Sequence, residues 1–153
     1  MRVDGAPSGP GGHRSRARFG VVLQTQGLVS ELTAHENVAL PLQEEGLEAS
    51  EVTERTRTAL TAVGLDDVGD RLAGELSGGQ RQRVGVARAL AGSPEIVIAD
   101  EPTAELDPDN RARVLSLLLE SSPARIVVVA SNDPEVSHLC PRVLHLRDGR
   151  IER

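Results

Sequence analysis

The sequence contains no lysine; all seventeen of its basic residues are arginine. It has no tryptophan and no tyrosine, and Phe19 is its single aromatic. The missing lysine excludes a phosphate-binding loop of the pattern G-x-x-x-x-G-K-[ST], even in degenerate form. The missing rings leave Val, Leu, Ile and Ala to build the core. One cysteine, Cys140, excludes an intramolecular disulfide and fits a reducing compartment. No apolar run approaches the roughly 18 residues that span a bilayer, and no hydrophobic signal region opens the chain. A cytosolic protein is expected, with any membrane-spanning part supplied by a partner.

What is present suits one compact domain: 153 residues, 39% of them apolar. The net charge of −6 argues against a dedicated nucleic-acid binder, which needs a basic face to neutralise phosphates. Residues 1–18 carry four arginines against one aspartate, and the remainder carries thirteen against twenty-two acids. That opening stretch, rich in Gly, Pro and Arg without periodicity, reads as a flexible segment.

"FGVVLQ" at 19–24 is a short apolar run with β-branched residues and predicts a strand. From about 33 to 92 the signals are helical. Val52, Thr56, Ala59, Leu60 and Val63 recur at helical spacing, Gly64 offers a stop, and a further helix is predicted from Ser77 to about Ala91. After Pro94, "EIVIA" and "RIVVVA" are continuous apolar runs, which predict strands of a parallel sheet buried on both faces. Between them Asp107 and Pro108 form a helix start, and Asp133 with Pro134 repeats it. "RVLHLRDGRIER" predicts a hairpin around Asp148-Gly149.

Two constellations carry chemistry. In "LSGGQ", residues 76–80, Ser77 and Gln80 form a capping box, worth about 1 kcal/mol. Paired glycines inside a helix cost close to 1 kcal/mol each, which is odd for a mere cap. They fit a close backbone approach by another molecule, and a helix N-terminus with free N–H groups favours an anion. In "EIVIADEPTAELD" a strand ends in Asp100-Glu101, at the carboxyl edge where ligands of parallel sheets sit. Asp100 could hold Mg2+ and Glu101 could take a proton from an attacking water; a solvated acidic loop is the plainer alternative.

Order and spacing bind these pieces together. Gln24 follows a strand, "LSGGQ" comes some fifty residues later, Asp100-Glu101 some twenty after that, and Asp107 follows at once. This succession resembles the ATPase cassette of the ATP-binding cassette (ABC) family, over nearly all of residues 19–153. The resemblance implies an α/β P-loop NTPase fold, a parallel-sheet core (about 93–153) with an inserted helical subdomain (about 26–92). It also implies two cassettes paired head to tail around ATP and Mg2+. Under it Gln24 senses Mg2+ and the water, and couples to a transmembrane permease that touches residues near 25–45. Ser77, Gly78, Gly79 and Gln80 meet the γ-phosphate across the dimer, Asp100 holds the metal with Gln24, Glu101 is the general base, and Asp107 contacts the second cassette.

Three departures from the family pattern stand beside the matches. The phosphate loop is absent, and the Gly-rich "SGPGGHR" at 8–14 is a decoy whose proline removes a donor. "RVDG" at 2–5 looks like the strand and turn that follow the P-loop helix, so the chain is expected to enter the fold downstream of the first strands and that helix. No ring is available to stack on adenine, since Phe19 adjoins the Gln24 strand and is expected in the core. The third departure is Asn132, which stands where the family has a histidine at the end of a strand; Asn hydrogen-bonds but carries no charge. The chain alone is therefore expected neither to hold nor to hydrolyse ATP.

The leading reading is the ATP-binding subunit of an ABC transporter, peripheral at the inner face of the membrane. "ELTAHENVALPL" at 31–42 resembles importer and lipoprotein- or antibiotic-export cassettes. The alternative is a non-hydrolysing partner that supplies Ser77–Gln80 in trans to a full-length cassette. A soluble repair or translation ATPase of the same family is disfavoured by the short gap between motifs and the lone Cys140. Without the first strands, an exposed edge or face of the sheet, of Val, Leu and Ile, is expected, with poor solubility or a partly molten chain.

Overall fold

The computed structural model describes residues 2–3, 6–7, 19–119 and 125–152. Most of the stretch expected to be flexible, including the 8–14 decoy, lies outside them. Within it, β1 (Arg2–Val3) and β2 (Ala6–Pro7) pair as a short antiparallel ladder.

The central element is a three-stranded parallel sheet, ordered β3 (Phe19–Val22), β4 (Ile96–Asp100) and β5 (Ile126–Ala130). Its register aligns Val21, Ile98 and Val128 in one cross-strand row and Val22, Ala99 and Val129 in the next. Because side chains alternate along a strand, the two rows face opposite ways. The face of the second row is covered: Val22, Ala99 and, two residues back on the same face, Val97 are buried, with Val127 and Val129 packed against the same cluster. The first row is open, with Val21 and Ile98 each 44% exposed and Val128 53% exposed. The apolar runs are thus buried on one face, not both. β5 lacks a neighbour on its outer side among the described residues, so nothing there crosses over to cover it.

The covered face is packed by helices. α1 (Ala34–Glu44) begins at a capping box in which Thr33 and Glu36 exchange hydrogen bonds. α2 (Ala49–Ala62) buries Val52, Thr56 and Leu60, one turn apart on one face. α3 (Gly78–Ala91) begins at Ser77, where the Ser77–Gln80 capping box forms as expected, and buries Val84, Val86, Ala87 and Ala89. α1, α2 and α3 pack on one another, and α3 also lies directly against β3. Gly20 permits that contact, since a Cβ there would overlap the carbonyl oxygen of Ala89. α4 (Pro108–Leu119) adds Val114 and Leu118 to the same cluster. α5 (Pro134–Leu139), capped by Asp133, and the hairpin β6 (Leu146–Arg147)–β7 (Arg150–Ile151) complete the chain. Asp148 and Gly149 both adopt left-handed φ in the turn, as a two-residue hairpin loop requires. The single aromatic, Phe19, is only half-buried and stands outside the aliphatic core, contrary to expectation.

Leu118→Ala removes a fully buried side chain from the covered face. It should cost about 2–5 kcal/mol in urea unfolding. Ile98→Thr on the open face should change stability by less than about 0.5 kcal/mol while raising the soluble yield.

Candidate functional site

Parallel strands deliver their carboxyl ends to one edge, and the three loops that leave that edge form the site. A cleft of about 510 Å³ there is lined by Gln24 after β3, Glu101, Thr103 and Ala104 after β4, and Asn132, Asp133 and Pro134 after β5. Arg111, one turn into α4, closes its side.

Glu101 is the most constrained of these residues. Its φ is +45°, the left-handed region, which costs a non-glycine residue on the order of 1–2 kcal/mol. Strain of this kind persists where surrounding contacts over-determine the backbone. Its N–H donates to the Ala130 carbonyl at 2.9 Å, and its own carbonyl accepts from the Ala104 N–H at 3.3 Å and from Gln82 Nε2 at 3.4 Å. Its carboxylate accepts from Ser131 Oγ at 3.1 Å and from the Asn132 N–H at 2.9 Å. The carboxylate therefore bridges β4 to the loop beyond β5, half-exposed in the cleft.

Gln24 and Asn132 reach the same cleft from either side of Glu101, both exposed. The Asn132 backbone, rather than its side chain, makes the contact to Glu101. Asp100 departs from this group. It ends β4 with an exposed side chain, in phase with Ile98 on the open sheet face, and does not line the cleft. No cluster of three or more potential metal ligands occurs among the described residues. One carboxylate and one amide oxygen are hard donors suited to Mg2+, an ion that habitually takes the rest of its shell from water and phosphate. Glu101 and Gln24 supply two such donors to the cleft.

The Ser77–Gln80 segment is partly exposed at the start of α3. The Ser77 hydroxyl accepts from the Gln80 N–H at 3.2 Å, and Gln80 Oε1 accepts from the Ser77 N–H at 2.9 Å. The paired glycines meet a neighbour within the chain. A Cβ on Gly78 would overlap the Glu105 carboxylate, and one on Gly79 would come within 3.0 Å of the Glu105 carbonyl oxygen. A neighbour from the loop between β4 and α4 thus lies close to both glycines, a movable side-chain end at Gly78 and a backbone carbonyl at Gly79. Asp107, at the end of that loop, caps α4 by accepting from the Asn110 N–H at 3.1 Å and from Asn110 Nδ2 at 2.6 Å. These bonds, the side-chain one first, hold its carboxyl below the ordinary aspartate range.

Several residues that hold the site gave no motif signal. Gln26 is buried with φ +59°, and its Nε2 donates to Gln82 Oε1 at 2.8 Å and to the Gln24 carbonyl at 3.1 Å. Arg88 donates to the carbonyls of Gln26 at 2.6 Å and Gly27 at 2.7 Å, and burial pushes its pKa down. Asn37, wholly buried in α1, donates to the carbonyls of Val29, Leu32 and Thr33 and accepts from the Val29 N–H. Arg111 sits 3.4 Å from Glu135 and 3.6 Å from Asp133, linking α4 to α5. Gln82 alone was findable: at i−4 and i−7 from buried Val86 and Ala89, it is a polar residue on an apolar stripe.

A parallel sheet with its cleft at the carboxyl edge, carrying a glutamate at the central strand end and backed by a helical layer, defines a partial P-loop NTPase cassette. The family model described as "ABC transporter" matches residues 2–104, and the chain belongs to that family. It is 37% identical over 139 residues to the methionine import ATP-binding protein MetN of Bordetella pertussis, covering 89% of this chain and 38% of that protein. It is equally identical, over 139 residues, to the macrolide export ATP-binding/permease protein MacB of Escherichia coli K12, covering 90% of this chain and 22% of that protein. In three dimensions it is similar to the ATP-binding cassette MJ0796, solved as a dimer in a post-hydrolysis state with ADP and Pi. That match has a TM-score of 0.86 and 35% identity, over 92% of this chain and 63% of that one. The chain thus spans less than two thirds of the length of the relatives it matches.

The capped acids set an acid limit on stability. A depressed folded pKa at Asp107 stabilises the fold above the unfolded value near 3.9, and that contribution disappears as pH falls through the folded pKa. Urea melts should therefore show wild type losing more stability than Asp107→Asn between pH 7 and pH 3, because the asparagine keeps a capping oxygen and carries no titration.

Proposed function

We propose that the chain is the ATP-engaging part of an ABC transporter, driving a separate membrane subunit and working as one half of a cassette pair. The observation that carries this reading is the convergence of Gln24, Glu101 and Asn132, from three successive loops, on one cleft at the carboxyl edge of the sheet. Glu101 takes the role of general base. Held by two donors and open to the cleft, its carboxylate is oriented to accept a proton from a water on its free side. Gln24 would orient that water and, with Asp100 from the adjoining strand end, would hold a Mg2+ brought by a nucleotide, which would supply charge neutralisation at the phosphates.

Residues 1–153 supply the water-activating side of such a site but no side chain suited to anchor its β- and γ-phosphates. The sequence holds no lysine to place between β- and γ-phosphates, and Asn132 brings no positive charge. The groups that act across a cassette pair are all present. In the Ser77–Gln80 segment the capping box takes up the N–H groups of Ser77 and Gln80. The Gly78 and Gly79 N–H groups, at the start of a fourteen-residue helix, with the Ser77 hydroxyl beside them, are what it offers to a γ-phosphate held by the opposite cassette. Asp107 stands beside them as the contact to that cassette. This favours, as the second reading, a partner that completes one working site in trans. The membrane subunit docks near residues 25–45. A second cleft of about 360 Å³, walled by Phe19, Val21, Leu40, Pro41 and Glu44, offers an apolar floor there. No described helix is long and apolar enough to cross a membrane itself.

Two measurements test the proposal. Isothermal titration of Mg-ATP into the 153-residue chain should give no binding in the micromolar range, and a micromolar constant would overturn the trans assignment. Mixed with a full-length cassette of the same family, the chain should raise ATP turnover. Ser77→Arg should abolish most of that increase, roughly a hundredfold for loss of the phosphate donors. Equal stimulation by the variant would remove Ser77–Gln80 from the site.

A further inference from the structure

Gln26 and Gln82 belong to no recognised motif, lie fifty-six residues apart, and are buried against each other, Gln82 at 1% exposure and Gln26 at 8%. Burying two primary amides is unfavourable unless their donors and acceptors are satisfied, so a pair kept inside an aliphatic core needs a reason. Their partners supply one. Gln26 Nε2 donates to the Gln24 carbonyl and to Gln82 Oε1, and Gln82 Nε2 donates onward to the Glu101 carbonyl.

We propose that Gln26 and Gln82 form a two-amide relay that positions Glu101, tying the loop that carries Gln24 to the left-handed turn that aims the Glu101 carboxylate. The functional weight of this inference rests on Glu101 being the water-activating base; the geometry does not. Gln82 is rooted in α3, the helix that presents Ser77–Gln80, so the relay joins three parts of the site through one side chain. Gln26 is fixed from behind as well, because Arg88 holds its carbonyl from the same helix. Gln26 makes no direct hydrogen bond to Glu101 and reaches it only through Gln82. That separation makes the inference testable, since a residue that merely fills space beside Gln24 would leave the Glu101 turn untouched.

The experiment is amide hydrogen exchange by NMR on the uniformly labelled 153-residue chain, without nucleotide. Its outcome is thus independent of whether the chain serves a cassette pair. Gln26→Met and Gln82→Met keep side-chain length and remove the amide. Each should speed exchange of the Glu101 N–H by roughly fivefold, the loss expected for one hydrogen bond. Each should also shift the Asn132 N–H that donates to the Glu101 carboxylate, while amides of α2 stay unchanged. The double variant should do no more than the larger single change, the mark of one shared path. If Gln26→Met leaves the Glu101 and Asn132 amides at their wild-type values, or if the two effects add in full, the relay is overturned. Should either variant fail to fold, wild type decides: the Gln26 side-chain amide must exchange far more slowly than that of exposed Gln43, and equal rates overturn the proposal.

Discussion

The contact on which the rest depends is the one between α3 and β3. Gly20 lets the helix backbone come down onto the strand, to a distance at which any side chain would strike the Ala89 carbonyl. From that seat α3 does several things at once. Its apolar face closes the covered side of the sheet, Arg88 and Gln82 hold the loop after β3, and its first turn carries the Ser77–Gln80 segment outward. A helix placed an ångström higher would open the core and lengthen every one of those hydrogen bonds. Packing density and site geometry are therefore the same constraint at this position.

Glu101 shows how that constraint reaches chemistry. A left-handed glutamate is an unfavourable local state, kept because five hydrogen bonds agree on it, from β5 and the loop beyond it, from α3 and from Ala104 in its own loop. Two of those bonds go to the carboxylate itself and leave one side of it toward the cleft. Asp100, one residue earlier, is left on the open sheet face by the strict alternation of β4. Neighbours in sequence are thus sent to different surroundings by the pleat, and only a nucleotide-borne metal near the sheet edge would bring them to one task.

Much of this was legible in the sequence because it is local. The capping box at Ser77, the Asp-Pro helix starts at 107–108 and 133–134, and the Asp148-Gly149 hairpin are each set by residues within four positions of one another. The family succession from Gln24 to Asp107 gave the architecture. What could not be read is long-range. Continuous apolar runs at β4 and β5 indicate strands but not how many faces a neighbour covers. The Gly78-Gly79 pair signalled a close approach without saying by what, and Glu105 now supplies one answer from within the chain. Gln26 and Arg88 hold the loop after β3, and Asn37 the turn before α1, through backbone carbonyls, a kind of contact that leaves no pattern in residue identity.

The missing lysine and the open sheet face belong to one picture. A lysine-bearing loop would have to bring its own strand and helix, and the unpaired side of β5 and the exposed Val21–Ile98–Val128 row are where a further strand and covering layer can attach to this sheet. The parts that are complete, namely the capped start of α3 and the over-determined Glu101 turn, do not touch that face. Their hydrogen bonds close within residues 24–132. The cleft and the outward-facing helix turn therefore keep their geometry through hydrogen bonds made among these residues, whatever covers the open face of the sheet.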